Sequence, residues 1–433
     1  IKENITMSQL ADTGATLAIN GGTPAKQRPN PPMFPGGMSI AEEEEAAVLE
    51  VLRAKRLFRY YGPGDAPSKV AALEEAFRNN KGARYAVAVT SGTAALTCGL
   101  HGIGIGPGDE VILPAYTWIA SAAAVVAAGG IPVIAEVDET LLLDPADVER
   151  KITPYTKAIM PVHMRGAPCR MDALMDVANR HGLKVIEDVA QANGASYHGQ
   201  ACGTFGDVGC FSLQFNKIIT SGEGGMVLTN EEAVWKRTTM YHDVIGALNH
   251  NFDRGELICG VNYRMPELLA AVSLVQLQRL DGLLTDMRAR KEMMKNGMTE
   301  IAQRKGIQFR EITDPAGDAA IALVFFMESA DSAQTVAKAL KAENIGASTL
   351  YSRDSLDYHV YAHWIPIMEQ RTWTADGGPW RWAKRDIAYH HDMCPRSLDL
   401  LGRAVHLDVS PLLNNEDVEE TIEGLNRVLE VLA

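Results

Sequence analysis

Gly209-Cys-Phe-Ser212-Leu-Gln-Phe-Asn-Lys217-Ile-Ile-Thr-Ser-Gly222-Glu-Gly-Gly225 is the stretch on which the fold turns. An apolar, strand-like run from Val208 to Leu213 delivers Ser212 and, five residues later, Lys217. Three glycines within the next four-residue turn then let backbone pass close to whatever Lys217 touches. A lysine amine becomes a nucleophile when partial burial and nearby cations lower its pKa, and its best-known use is a Schiff base with an aldehyde such as pyridoxal phosphate. The bland alternative is a solvated loop lysine. The apolar strand before Lys217 and the glycines after it favour a seat for a covalently held cofactor.

Outward from this stretch, strand and helix alternate. Tyr85 to Val89, Glu110 to Leu113, Ile131 to Glu136, Ala158 to His163, Lys184 to Asp188, Val208 to Leu213 and Gly225 to Thr229 read as strands with helices between them. Such alternation predicts an α/β fold with a mainly parallel sheet covered on both faces. Helices are expected over Ser39 to Ala54, with Ser39 as N-cap, and over Ser68 to Asn79. The Pro- and Gly-rich start, Leu17 to Gly37, reads as an extended arm. From about Leu280 the texture changes to a charged helix, Asp281 to Arg304, strands at Ile307 to Arg310 and Ile321 to Met327, and helices at Ser332 to Glu343 and Asn415 to Leu432. The expected organisation is an arm over 1–37, a large domain over 38–280 and a smaller α+β domain over 281–433. Ile1 to Thr6 read as leader residues outside the fold.

Composition narrows the partners. A 433-residue chain that is 46% hydrophobic and 22% charged can bury a large core. Its net charge of -13 argues against a nucleic-acid surface or an anionic membrane, both of which reward a basic stripe. Val111 to Ala135 is free of charge, but Pro114, Gly129, Gly130 and Pro132 divide it into a buried strand-helix-strand element. Six scattered cysteines show no metal spacing, so no metal is expected, and reduced thiols suit a cytoplasmic setting.

An open α/β sheet places its chemistry at the carboxyl ends of its strands. Thr90-Ser91-Gly92-Thr93 follows the Tyr85 strand and opens a helix, so hydroxyls, free N–H groups and the helix dipole converge on one point, where a phosphate belongs. A simple helix cap is the alternative. Asp188 ends its strand and could keep a pyridine nitrogen protonated; it could equally cap a helix. Gln191 could reach a ring hydroxyl, and Trp118 offers a flat face for stacking, although a lone tryptophan there is more often core.

The ordered set Ser91-Gly92-Thr93, Pro114-Ala-Tyr-Thr-Trp118, Asp188-Val-Ala-Gln191, Ser212 to Lys217, Gly222-Glu-Gly-Gly225 and Gly260-Val-Asn262-Tyr-Arg264 resembles the DegT/DnrJ/EryC1/StrS family of pyridoxal-phosphate-dependent sugar aminotransferases. The resemblance implies the fold-type I architecture, with a three-layer α/β/α large domain, and a homodimer with sites at its interface. It makes Lys217 the Schiff-base lysine, Asp188 the partner of the ring nitrogen, Gln191 a ring-hydroxyl contact and Trp118 the stacking residue. Ser91, Gly92, Thr93 and Ser212 would hold the phosphate, with Asn262 reaching it from the other subunit. His163 matches a strand-end histidine near the cofactor.

Within that family, Leu57 to Tyr60, Ala158 to Gly166 and Glu311 to Asp318 are most similar to the 8-amino-3,8-dideoxy-octulosonate transaminases, whereas the arm resembles members that aminate keto-cyclitols or nucleotide-linked keto-sugars. Arg59, Tyr60, Arg165 and Arg353 are the candidate substrate residues. For each arginine the alternative is an ordinary ion pair. Phe58 to Tyr61 and the tryptophan-rich segment Trp364 to Trp382 depart from the family pattern and are expected to shape the acceptor pocket. The implied activity is ping-pong transfer of an amino group from glutamate or glutamine, through pyridoxamine phosphate, to a carbonyl-bearing sugar-like acceptor. A lyase or dehydratase on the same fold and a non-catalytic pyridoxal phosphate-binding protein are the other readings.

Overall fold

The computed structural model describes residues 16–433. In chain order the strands are β1 (Tyr85–Val89), β2 (Glu110–Pro114), β3 (Ile131–Ala135), β4 (Thr156–Ile159), β5 (Lys184–Asp188), the short ribbon β6 (Ser196–Tyr197) and β7 (Gln200–Ala201), β8 (Val208–Ser212), β9 (Gly225–Thr229), β10 (Gln308–Phe309), β11 (Ala322–Phe326), β12 (Ala347–Thr349) and β13 (Ala404–Asp408). Seven of them form one sheet in the order β1-β9-β8-β5-β4-β2-β3. β8, β5, β4, β2 and β3 are mutually parallel. All five residues of β2, β3, β8 and β9 are buried, as uninterrupted apolar runs require when helices cover both faces. Alternate residues of β1 supply two cores: Val87 and Val89 belong to one, Ala86 and Ala88 to the other.

β9 departs from the expected parallel pattern, since it runs antiparallel to both β8 and β1. A parallel return needs a crossover helix, and the chain between Ser212 and Gly225 is instead a tight loop, the one that carries Lys217. β10, β11, β13 and β12 form a second sheet, antiparallel throughout. Neither β12 nor β13 was marked by a strand-like run long enough to read.

Three further expectations are corrected. The first long helix is Glu42–Ala54, and Ser39 does not start it. Ser39 closes the preceding short helix Pro35–Met38, its hydroxyl donating to Gly36 O at 2.9 Å, while Ala41 N donates to the Glu44 carboxylate at 2.9 Å. The expected boundary at 280/281 falls inside an unbroken 31-residue helix, Glu267–Gly297. That helix is long and apolar enough to cross a membrane, but it packs against Glu42–Ala54 and Lys69–Lys81, and its Arg279 is held by Glu43 and Glu44. The arm is not extended throughout: it forms turns at Ala18–Asn20 and Pro35–Met38, and Glu343 accepts from Ala18 N and Ala25 N. The fully buried Lys26 pairs with Asp417. The leader reading of Ile1 to Thr6 lies outside the described residues, as does the arm before residue 16.

Candidate active site

A cavity of about 350 Å³ opens at the carboxyl ends of β1, β2, β5 and β8, and Lys217 lines it. Its loop is closed by Leu213 N donating to Gly224 O (2.8 Å), Ser221 N to Leu213 O (3.0 Å) and the Thr220 hydroxyl to Leu213 O (2.9 Å). Gly225 is required here, because a Cβ on it would stand 2.3 Å from Ser91 O. Burial pushes the Lys217 ammonium pKa down; Asp188 pulls it up and Arg165 presses it down, and the net direction is downward. That is the shift a nucleophilic amine needs.

Ser91 caps the helix Gly92–Gly102, its hydroxyl accepting from Ala94 N at 3.0 Å. The N–H groups of Gly92 and Thr93 have no helical acceptor, and both residues line the cavity together with Ser212. Gly92 lies directly on Ser212: a Cβ there would come within 2.6 Å of the Ser212 Cβ. Across the cavity, Asp188 is 4% exposed. Its Oδ1 accepts from Ala190 N (3.0 Å) and its Oδ2 from the Ser121 hydroxyl (2.8 Å). Trp118 is 45% exposed and presents its indole to the same space, with His359 tilted beside it at 4.9 Å. Gln191 Oε1 accepts from Arg165 N at 3.2 Å.

A helix N-terminus with hydroxyls, an open indole face, a buried carboxylate opposite and a half-buried amine between them are the complementary groups for a phosphate, an aromatic ring, a pyridine N–H and an aldehyde. The residues present therefore fit pyridoxal phosphate. Among the described residues no group of His, Cys, Asp and Glu side chains is placed to hold a metal ion.

The expected site residues do not all converge. Ser91, Gly92, Thr93, Trp118, Asp188, Gln191, Ser212 and Lys217 line the cavity, and Arg165 lines an adjoining one of about 290 Å³ that shares Lys217 and Gln191. His163 is corrected: it is fully buried, its Nδ1 accepts from Cys169 N (3.0 Å), and its Nε2 faces Glu187 at 3.2 Å. Both ring nitrogens are thus occupied on the far side of the strand, and only its backbone N–H, donating to Asp188 O at 3.0 Å, touches the site. Arg59 forms a two-pronged pair with Glu74 (3.1 and 2.9 Å) in a separate cavity of about 460 Å³ at the open edge of β1. Tyr60 bonds to Asp243, Asn262 is exposed beside Thr90, and Arg353 sits on an exposed loop. None of these four lines the Lys217 cavity within one chain.

The tryptophan-rich segment is also corrected. Trp364 and Trp380 are buried, their indole N–H groups donating to Tyr358 O (2.8 Å) and the Tyr389 hydroxyl (2.9 Å), and Tyr389 in turn donates to Pro132 O of β3. Trp380 thus reaches the sheet's edge through Tyr389, Trp373 and Trp382 are exposed, and no residue of the segment lines the cavity. What does line it from this region is His359, whose Nδ1 meets Asp357 at 2.7 Å. His359 arrives because Tyr116 bridges to Val360 across more than 240 positions, a pairing with no local signal. Ser121, behind Asp188, was equally unmarked among small residues.

A family model, the DegT/DnrJ/EryC1/StrS aminotransferase family, matches residues 38–376. The chain belongs to this family. It is 38% identical over 343 residues to an L-glutamine:2-deoxy-scyllo-inosose aminotransferase of Streptoalloteichus tenebrarius, covering 76% of this chain and 78% of that one. It is 46% identical over 213 residues to the GDP-perosamine synthase of Caulobacter vibrioides, where the match spans 49% of this chain and 57% of the relative. The structure of NtdA from Bacillus subtilis, with bound cofactor PMP, superposes with a TM-score of 0.73 at 25% identity, covering 94% of this chain and 86% of that one. The chain is an aminotransferase of fold-type I α/β architecture.

Proposed function

We propose that this chain uses pyridoxal phosphate to move an amino group from glutamine or glutamate to the carbonyl carbon of a sugar-like or cyclitol acceptor, by a ping-pong scheme. The observation that carries this reading is Lys217: a half-buried amine with a lowered pKa, placed between a helix N-terminus and a buried carboxylate. When bound, the cofactor supplies an aldehyde and an electron-withdrawing ring. The chain's residues divide the remaining work. Ser91, Gly92, Thr93 and Ser212 hold the phosphate, Trp118 stacks on the ring, Asp188 keeps the ring nitrogen protonated and Gln191 meets the ring hydroxyl. Lys217 would hold the cofactor's aldehyde and, once displaced from it, would be the base placed to move a proton.

Arg165 suits a substrate carboxylate. Its Nε donates to the Tyr116 hydroxyl at 3.1 Å, no carboxylate among the described residues lies within ion-pair distance of it, and its backbone is held at φ 53°. A half-buried guanidinium whose one side-chain hydrogen bond goes to a hydroxyl keeps donors free, and the α-carboxylate of the donor would complete it. The two relatives act, by their names, on a cyclitol and in perosamine formation, which favours a ring ketone over an octulosonate aldehyde as acceptor.

The working unit in this reading is a homodimer. Exposed Tyr61, Val244, Leu248 and Leu257 lie on the segments flanking Tyr60 and Asp243, close to the exposed Asn262, and supply the apolar area a second copy would cover. Six free cysteines suit a reducing cytoplasm. The test is spectroscopic: glutamine or glutamate alone should convert the holoenzyme from the pyridoxal to the pyridoxamine form, and keto-cyclitols or nucleotide-linked keto-sugars should convert it back. Absence of any change with every amino donor would overturn the proposal.

A further inference from the structure

The pair Thr117 and Ser121 is 1% and 0% exposed, on the segment that follows β2 and opens the helix Ala120–Ala127. That helix is otherwise built of alanine and valine, where a buried hydroxyl is unfavourable unless it is bonded. Ser121 Oγ donates to Asp188 Oδ2 at 2.8 Å, and Thr117 Oγ1 stands 2.7 Å from Ser121 Oγ. A carboxylate only accepts, so the single Ser121 hydroxyl proton must point at Asp188. Ser121 Oγ is then free to accept, and the Thr117 proton completes the chain toward it. The direction of both protons is thus set by an ionised Asp188.

We propose that Ser121, backed by Thr117, is the positioning residue that orients Asp188 and keeps it ionised toward the cofactor's ring nitrogen, an assignment that rests on the pyridoxal phosphate reading above. Burial of Asp188 favours its neutral form. The charged groups that act on it from the surrounding elements are Lys217 from the loop after β8, which lines the same cavity, and, at longer range, His163 from the segment after β4, whose ring is turned to Glu187; both favour the anion, and Cys210 of β8 is packed alongside. None of these bonds to Oδ2. Ala190 N secures Oδ1, so Ser121 is the only described side chain that fixes the other oxygen. The arrangement has a geometric consequence as well. Thr117 N donates to His359 O at 2.9 Å, so one short segment, residues 117–121, pins the carboxylate, presents Trp118 to the ring and is itself held by the turn that carries His359.

The experiment uses holoenzyme reconstituted with pyridoxal phosphate carrying a ¹⁵N-labelled ring, and follows the ring nitrogen's chemical shift against pH by NMR. Loss of the donor makes the Asp188 carboxylate more basic and draws the proton from the ring nitrogen toward it. Ser121→Ala should therefore shift the proton shared by the pair from the ring nitrogen toward Asp188 by roughly tenfold in that distribution, read as a ring-nitrogen chemical shift moved toward its unprotonated value on the low-pH plateau. Thr117→Val, which keeps the shape, should move it in the same direction by less, and Ser121→Thr, which keeps the hydroxyl, should restore it. An unchanged ring-nitrogen titration in Ser121→Ala overturns the proposal; should that variant fail to fold, an unchanged titration in Thr117→Val does so. Asp188→Asn separates the two levels. If it leaves the ring nitrogen's titration untouched, the pairing of Asp188 with the ring is what fails.

Discussion

Gly92→Ala is the most exacting perturbation of the phosphate end of the site. The new Cβ would stand 2.6 Å from Ser212 Cβ, 2.9 Å from its Oγ and 3.3 Å from its Cα. Ordinary carbon contacts are about 3.5–4.0 Å, so one partner must retreat by about 1 Å. Ser212 is in register with Gly225 on a fully buried strand, and Gly92 is the first residue of a helix capped by Ser91. Neither backbone can yield cheaply. Overpacking of this kind costs about 1–3 kcal/mol of stability. Displacing one hydrogen bond to a charged phosphate costs about 1.5–3 kcal/mol, which weakens cofactor binding by roughly 10- to 100-fold. The assay is absorbance titration of the apoenzyme with pyridoxal phosphate, and in parallel with pyridoxal, which lacks the phosphate. Affinity for the phosphorylated cofactor should fall while that for pyridoxal stays near the original value. Adding Ser212→Gly removes the obstructing side chain and should recover stability, though not the lost hydroxyl. Undiminished pyridoxal phosphate affinity in Gly92→Ala would refute the placement of the phosphate between Gly92 and Ser212.

Lys217→Ala should retain the cofactor only non-covalently and lose turnover, and borohydride treatment of the unaltered enzyme should fix the cofactor to the peptide containing Lys217; labelling of another lysine would displace it from this role. For Glu44, burial raises the carboxyl pKa, but Arg279, Ala41 N and Gln276 outweigh it and bring it down to about 2 from 4.5. A depressed carboxyl stabilises the fold above its unfolded pKa and loses that contribution as pH falls toward its folded pKa. Glu44→Gln should therefore cost up to about 3 kcal/mol at neutral pH, with the gap in urea-unfolding free energy closing between pH 4.5 and about 2. A gap that stays constant with pH would show that the charge is not what counts. Finally, a mixed dimer of Lys217→Ala and Asn262→Ala chains should regain activity that neither variant has alone, because both defects fall in one site; no recovery would mean that Asn262 serves its own chain.

The cofactor half of the site was legible because it is built from local signals. Ser91-Gly92-Thr93 is a strand followed by a helix N-terminus, Asp188 is the last residue of its strand, and Lys217 sits in the loop between an apolar strand and glycines. Each such feature is written within about ten residues, and fully buried strands announce themselves as unbroken apolar runs. Tertiary structure decided what depends on distant segments meeting. It turned the His163 ring toward Glu187 and away from the cavity, carried His359 over the end of β2, set Ser121 behind Asp188 and anchored Trp380, through Tyr389, at the edge of β3. It also reversed β9, whose antiparallel course follows from the short Lys217 loop and not from any property of the Gly225 to Thr229 sequence. Which way a side chain faces, and what stands opposite it, is fixed by packing between segments tens to hundreds of residues apart, and no local pattern in the chain encodes that.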